Sequence, residues 1–335
     1  MPQQTPNPSG PSASPSTTFS LPEGIWAPTQ VFFQPYPPFD LDLATISLHA
    51  VRLARAGVAG LVTNGSNGEA VHLTPAERSA VTRTTRTALD EAGFAHVPVM
   101  VGASDQSVRG TLELIKDAKE AGAVAALVLV PSFFRWAMSD ERAVEGYFAA
   151  VAEGSVLPVV VYNYPGAVAG LDLSSDLLGR LAQHERIVGT KFTCGNIGKL
   201  ARVASETKGR REYRCFSGVA DAITPALAVG GHGGIVGAAN VFPRACVKVH
   251  RLWMEGRWEE AREAQQMLAR ADWAMTKRAI PGFKSVLQKW HGYGGQPRLP
   301  VLPLESEEEE SLFREVEEMM KVEESLEDFG KASQL

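Results

Sequence analysis

From about residue 24 one pattern repeats eight times: a short run rich in Val, Ile or Ala, a turn, then a longer amphipathic segment. The runs are VFF (31–33), GLVTN (60–64), VPVMVG (97–102), AALVLV (125–130), LPVVVY (157–162), RIVGTK (186–191), YRCFSG (213–218) and GGIVG (233–237). They recur about every 30 residues, the length of one strand-plus-helix unit. Continuous apolar runs, without the alternation of a half-exposed strand, predict a parallel sheet covered on both faces. Eight such units favour a closed (β/α)8 TIM barrel over an open doubly wound sheet. The expected class is therefore α/β: a barrel over 23–245, C-terminal helices packed on it over 246–325, and flexible tails at 1–22 and 326–335.

Local signals agree with this frame. Thr74, Pro75 and Glu77 offer an N-cap, a proline at the first helical position and the carboxylate of a capping box, so a helix is expected over 75–93. A second pattern covers 106–122, and 257–325 reads as helices with a strongly charged face. The Glu307–Glu310 run belongs to that solvated face and carries no assigned function.

The bulk numbers exclude several classes. A net charge of -5 lacks the basic face of a nucleic-acid binder. No apolar run reaches the roughly 18 residues of a membrane span. Cys194, Cys215 and Cys246 are odd in number and lack metal-type spacing, which suits a reducing compartment. The first 22 residues, rich in Pro, Ser, Thr and Gln, cannot bury a core. No Lys or Arg precedes Arg52, whereas transit peptides are Arg-rich and secretory signals need a basic start. A cytoplasmic protein is expected.

In a barrel the catalytic groups gather at the C-terminal ends of the strands. Three segments fall there: NGSNGEAVHL (64–73) after the second strand, VYNYPG (161–166) after the fifth, and Lys191 closing the sixth. Desolvation disfavours the ammonium form, so an amine in a water-poor site attacks a ketone and forms a Schiff base. That iminium draws in the electrons of a neighbouring carbon–carbon bond. Tyr162 is placed to take the proton of the leaving hydroxyl, while Ser66 and the backbone amides of the Gly65–Gly68 turn suit a substrate carboxylate. The trio adds up to a class I aldolase. Taken singly, each part has a plainer reading. A strand-end lysine is usually structural, Tyr162 could be an ordinary rim aromatic, Glu69 could bond within its loop, and His72 and Cys194 read as packing.

Together GSNGE (65–69), YNYP (162–165), GTK (189–191) and GGHGGIVGAANVFP (230–243) resemble the dihydrodipicolinate synthase/N-acetylneuraminate lyase family of pyruvate-dependent aldolases, over roughly residues 24–300. The resemblance implies that Lys191 forms the Schiff base and that Tyr162 is the mechanistic tyrosine. It implies that Ser66 and Asn67 bind the carboxylate and relay the proton, and that backbone near Gly218 and Ile235 lines the pyruvyl part. It also implies a homo-oligomer, a dimer or the family's usual tetramer, with pyruvate and a 2-oxo acid as its small-molecule partners. No metal and no pyridoxal phosphate is expected, since the iminium fills the electrophile's role.

Departures from the family pattern narrow the substrate. Ala167 stands where dihydrodipicolinate synthases carry an Arg for the second substrate's carboxylate, which argues against that activity. The Ser66–Asn67 pair is similar to 4-hydroxy-2-oxoglutarate aldolases, and the longer GSNGEAVHLT string looks most like fungal 2-keto-3-deoxy sugar-acid aldolases. The expected substrate is L-threo-3-deoxy-hexulosonate, cleaved to pyruvate and an aldehyde such as L-glyceraldehyde. The alternatives are 4-hydroxy-2-oxoglutarate cleavage, a same-family sugar-acid dehydratase and a dihydrodipicolinate synthase-like enzyme. Phe133 and Phe134 replace a tyrosine that in many relatives enters the neighbouring subunit's site, so Phe134 is expected beside the substrate without a hydroxyl to relay protons.

Overall fold

The computed structural model describes residues 20–331 apart from 36, 38 and 211. Of the tails expected at 1–22 and 326–335, residues 1–19 and 332–335 lie outside the described residues. Eight parallel strands pair in sequence order: β1 (Gly24–Pro28), β2 (Gly60–Thr63), β3 (Val99–Gly102), β4 (Ala125–Leu129), β5 (Val159–Asn163), β6 (Ile187–Phe192), β7 (Arg214–Ser217) and β8 (Gly233–Ile235). β8 returns to pair with β1, closing the barrel. Outside it run α1 (Leu43–Arg55), α2 (Pro75–Glu91), α3 (Val108–Glu120), the single turn α4 (Arg135–Met138), α5 (Glu141–Gly154), α6 (Ser175–Leu181), α7 (Ile197–Glu206) and α8 (Ile223–Ala228). Three helices follow the barrel: α9 (Pro243–Met254), α10 (Trp258–His291) and α11 (Ser306–Ser325). The chain is the closed (β/α)8 barrel with a C-terminal helical segment that the eightfold pattern predicts.

Strand side chains divide the core into shells. Trp26, Val62, Met100, Leu127, Val160, Val188, Phe216 and Ile235 fill the barrel interior. Their alternating neighbours, such as Val159 and Val161, face the helices instead. The Trp26 and Phe216 rings meet edge to face at 6.2 Å.

The expected capping box is present. Thr74 N donates to the Glu77 carboxylate at 2.8 Å and Thr74 Oγ1 accepts from Glu77 N at 3.2 Å. This starts α2 directly after the GSNGE turn and so fixes where that turn ends.

Three expectations are corrected. The first strand is GIWAP (Gly24–Pro28), not VFF at 31–33. Val31, Phe32 and Phe33 are buried in the outer core as irregular chain, with only an isolated bridge from Phe33 to Leu41. A three-residue apolar run reads the same whether it feeds a sheet or fills a layer beneath helices, and Gly, Trp and Pro hid the true strand. The 1–22 boundary also moves: Leu21 is fully buried inside the barrel core, and its carbonyl accepts from Arg214 Nε at 3.0 Å. At the other end, the chain beyond 326 is packed as far as Gly330, whose amide donates to Arg55 O at 2.8 Å, while Asp328 pairs with Arg244 at 2.8 Å.

α10 braces the loop after β7. It kinks where Ala279 takes φ 49, ψ -143, two residues before Pro281. Upstream of the kink, Asp272 accepts from Ala220 N at 2.9 Å and Asp221 N at 3.0 Å, and Gln265 bonds Thr224 N and Ala220 O. The loop after β7 is thereby held by one helix. α11 buries Leu312, Val316, Met319 and Met320, and its acidic first turn faces solvent at the helix end that favours negative charge.

Candidate active site

Strict alternation along β6 would place Val188, Thr190 and Phe192 on one face. The register instead shifts between Val159 and Val160 of β5, which pair with Ile187 and Gly189 of β6. After this bulge Val188 and Lys191 both face the interior, whereas Thr190 turns outward to bond the Tyr213 hydroxyl at 2.7 Å. Gly189 permits it, because a Cβ there would stand 2.5 Å from the Arg214 carbonyl oxygen. The same register sets Lys191 directly across from Tyr162.

Lys191 is 3% exposed, and its Nζ lies 4.1 Å from the centroid of the Tyr162 ring. No carboxylate pairs with it among the described residues. Tyr162, 4% exposed, stacks on Tyr164 at 5.6 Å with 22° between the planes. Burial pushes the Tyr164 phenol above its usual range, and the nearby Tyr162 adds to that. Asn163, between the two, is pulled out of the barrel: its amide donates to Asp172 at 2.8 Å and its carbonyl accepts from Leu173 N at 3.1 Å. In YNYP the asparagine thus anchors the loop while both tyrosines border the cavity.

That cavity has a volume of about 360 Å³ and is lined by Gly65, Ser66, Arg78, Ser104, Tyr162 and Tyr164 among mostly apolar neighbours. None of its lining residues is acidic. The turn beside it folds on itself: Gly68 N and Ala70 N donate to Gly65 O at 3.1 and 3.4 Å, and Glu69 N donates to Ser66 O at 3.1 Å. The amides of Ser66 and Asn67 have no partner among the described residues. This is an arrangement of donors suited to a carboxylate.

The remaining expected site residues lie elsewhere around the rim. Asn67 is turned toward β8: its Oδ1 accepts from Gln30 Nε2 at 3.4 Å, and its amide packs on Gly237. Gly218 ends β7 tightly against Thr193, where no side chain would fit. Ile235 is fully buried in the barrel core below the mouth. Phe134 does not line the cavity; it is 61% exposed and packs edge to face on Phe133 at 5.1 Å.

Sequence reasoning missed what holds the turn in place. Glu69 takes a left-handed conformation (φ 48) and is 1% exposed. Its carboxylate meets Lys284 Nζ of α10 at 2.6 Å, accepts from Arg298 N at 2.9 Å and faces His72 Nδ1 at 3.1 Å. Lys284 donates to Gln296 O at 3.0 Å and lies over the Phe33 ring at 4.6 Å. Burial lowers its pKa, and Glu69 pulls it back up. Arg298 then reaches across to Glu77 at 2.7 Å, tying the same segment to the first turn of α2. Glu69 and Arg298 are 229 residues apart in the chain, so no local pattern announces their contact. The one available signal was a lone acid inside a Gly-rich turn.

Among the described residues no group of three or more His, Cys, Asp or Glu is placed to hold a metal ion, and no helix is long and apolar enough to cross a membrane. The three cysteines are free.

A barrel with a buried, unpaired lysine against a strand-end tyrosine is the frame in which the relatives fall. The chain belongs to the dihydrodipicolinate synthetase family, whose model matches residues 30–319. It is 50% identical over 328 residues to an L-threo-3-deoxy-hexylosonate aldolase of Aspergillus niger, covering 92% of this chain and 98% of the relative. A protein of the same name from Hypocrea jecorina is 53% identical over 313 residues, covering 92% and 99%. A protein of Emericella nidulans named "Probable 4-hydroxy-2-oxoglutarate aldolase, mitochondrial" is 45% identical over 304 residues, covering 91% and 97%. Among solved structures, a dihydrodipicolinate synthase family protein from Coccidioides immitis superposes with a TM-score of 0.82 at 32% identity, covering 92% and 98%. A prophage protein of the dihydrodipicolinic acid synthase family from E. coli K12, solved in complex with pyruvate, gives 0.81 at 26% identity, covering 89% and 98%.

Proposed function

We propose that this aldolase cleaves L-threo-3-deoxy-hexulosonate to pyruvate and L-glyceraldehyde through a Schiff base on Lys191. The Lys191 amine adds to the C2 ketone and water leaves, giving an iminium. Tyr162, with Ser66 and the substrate carboxylate, accepts the proton of the C4 hydroxyl. The C3–C4 bond breaks, its electrons pass to the iminium nitrogen as an enamine, and the aldehyde departs. Protonation at C3 and hydrolysis return free pyruvate and the amine. The iminium is the electron sink throughout, so the proposed reaction uses no metal and no pyridoxal phosphate, and a chelator is expected to leave the rate unchanged.

One observation carries this reading: Lys191 Nζ, buried and without a carboxylate, 4.1 Å from the ring centroid of the tyrosine paired with it across two strands. The unpartnered amides of Ser66 and Asn67 support carboxylate binding beside it. The two sugar-acid aldolase relatives favour this substrate over 4-hydroxy-2-oxoglutarate, the assignment named for the Emericella protein.

The working form in this proposal is a homo-oligomer in the cytoplasm. Phe133 and Trp136, each 79% exposed, and Val71, 86% exposed and lining the cavity, are large apolar side chains for a second copy to cover. Sedimentation of wild type against Phe133→Ser/Trp136→Ser checks this, with a smaller species expected for the variant.

The deciding measurement is intact mass after incubation with pyruvate and borohydride. Wild type should gain one reduced pyruvyl group and Lys191→Ala none. An unmodified wild type sinks the mechanism. Product analysis then separates glyceraldehyde from glyoxylate release.

A further inference from the structure

The pyruvyl end of the substrate accounts for the turn, for Tyr162 and for Lys191, which lies against the Tyr162 ring and is not itself among the lining residues; the cavity has further polar lining. That further lining includes Arg78 from the first turn of α2, Ser104 after β3 and Tyr164 after β5. Each has an unused donor. Arg78 Nε is buried without a hydrogen-bond partner. Ser104 Oγ accepts from Leu129 N at 2.8 Å, which leaves its proton free to donate. The Tyr164 hydroxyl has no partner among the described residues, and burial keeps it protonated. Asn64, whose side-chain oxygen is buried without a hydrogen-bond partner, also lines the cavity, and apart from the turn and Tyr162 the rest of the wall is apolar or glycine, including Val71, Leu127, Leu129 and Ala167.

Resting on the aldolase reading above, we propose that Arg78, Ser104 and Tyr164 form an acceptor subsite that reads the hydroxyl groups beyond the cleaved bond. Buried donors without partners penalise any ligand that fails to satisfy them, so an unhydroxylated tail is rejected more strongly than a short one. The choice of hydroxyls over a second carboxylate follows from the donor set. Beside Arg78, the one Lys or Arg lining the cavity, Ser104 and Tyr164 offer neutral hydroxyl donors suited to the oxygens of a polyol. The substrate class is thus a 2-oxo-3-deoxy acid whose aldehyde half is a polyol.

The test is condensation of pyruvate with L-glyceraldehyde, propanal or glyoxylate by the full chain. Propanal matches the carbon count of glyceraldehyde without its hydroxyls. Wild type should prefer glyceraldehyde to propanal, and Arg78→Met should cut that preference by roughly 10- to 100-fold, the worth of a charge-assisted hydrogen bond. The loss should appear in the KM for glyceraldehyde, while propanal, which leaves the Arg78 donor unmet in wild type, should gain rather than lose turnover in Arg78→Met. Arg78→Lys should fall between, and Tyr164→Phe, which removes only one oxygen, should move the preference the same way. Trapping the pyruvate adduct with borohydride serves as the folding control, and it should be undiminished in all three variants. Equal losses for glyceraldehyde and propanal would make Arg78 structural and overturn the proposal. A loss concentrated on glyoxylate would make the subsite a carboxylate reader and overturn it too. No adduct on wild type would remove the aldolase reading itself, and the subsite with it.

Discussion

Three lysines are buried among the described residues. Lys199 is paired with Asp172, and the other two, Lys284 and Lys191, have opposite surroundings. Lys284 is 0% exposed and fully engaged, with a carboxylate at 2.6 Å, a carbonyl at 3.0 Å and an aromatic face at 4.6 Å. Lys191 is 3% exposed, and its Nζ lies over the Tyr162 ring with no carboxylate or hydrogen-bond partner among the described residues. Burial alone therefore does not set an amine's role. What separates the two is the missing counter-charge, on which the proposed Schiff-base role of Lys191 rests, while Lys284 works as a clamp. The clamp serves the site, because its partner Glu69 ends the turn that carries Ser66.

The comparison breaks most sharply under exchange for methionine. Lys191→Met should abolish aldolase turnover, a loss of roughly a millionfold at the low end of enzymatic acceleration. It should not lower the denaturation midpoint, since an unpaired buried amine is a cost to folding. A destabilised Lys191→Met would refute the asymmetry. Tyr162→Phe should keep the borohydride-trapped adduct but reduce kcat by about 10²- to 10⁴-fold, the usual contribution of a positioned acid–base group.

Lys284→Met should do the reverse of Lys191→Met. It strands Glu69 as a buried, uncompensated carboxylate and should cost about 3–5 kcal/mol in urea unfolding, whereas Lys284→Met/Glu69→Leu should recover much of that. If the single and double variants are equally unstable, the pair is not acting as a clamp.

A finer effect concerns pH and the same helix. His291, at the end of α10, has its pKa depressed to about 4 by burial and by Arg52 and Arg244. The fold favours the neutral ring, so the unfolded chain binds the proton more readily. Stability from this group is complete above about pH 6.5 and is lost as pH falls toward 4. Thermal melts from pH 7 to pH 4 should fall more gently for His291→Asn than for wild type.

Much of this was legible in the chain. The eightfold spacing named the barrel, the strand-end rule gathered GSNGE, YNYP and Lys191 at one mouth, and Thr74 and Glu77 announced α2. The first strand was not legible, because GIWAP carries Gly and Pro where a strand is expected, while the more apolar VFF belongs to a layer outside the sheet. Asn67 and Phe134 looked like cavity residues from their motifs, yet local sequence does not set the direction of a side chain in a turn or on an exposed loop. Arg78 and Ser104 were invisible because each sits in an ordinary helix or loop and becomes a wall only when three strands close around it.

Hydrophobic periodicity, caps and turn residues act through neighbours a few positions away, so the sequence alone determined the element order, the closed barrel and which strand ends in Lys191. Tertiary structure decided the rest. A one-residue bulge brings Lys191 inward across from Tyr162, closure sets Arg78 facing the cavity, and a helix from the far end of the chain delivers Lys284 to Glu69 and leaves Lys191 alone. Those outcomes depend on which groups meet in space, and electrostatics and desolvation act on distance through space rather than separation along the chain.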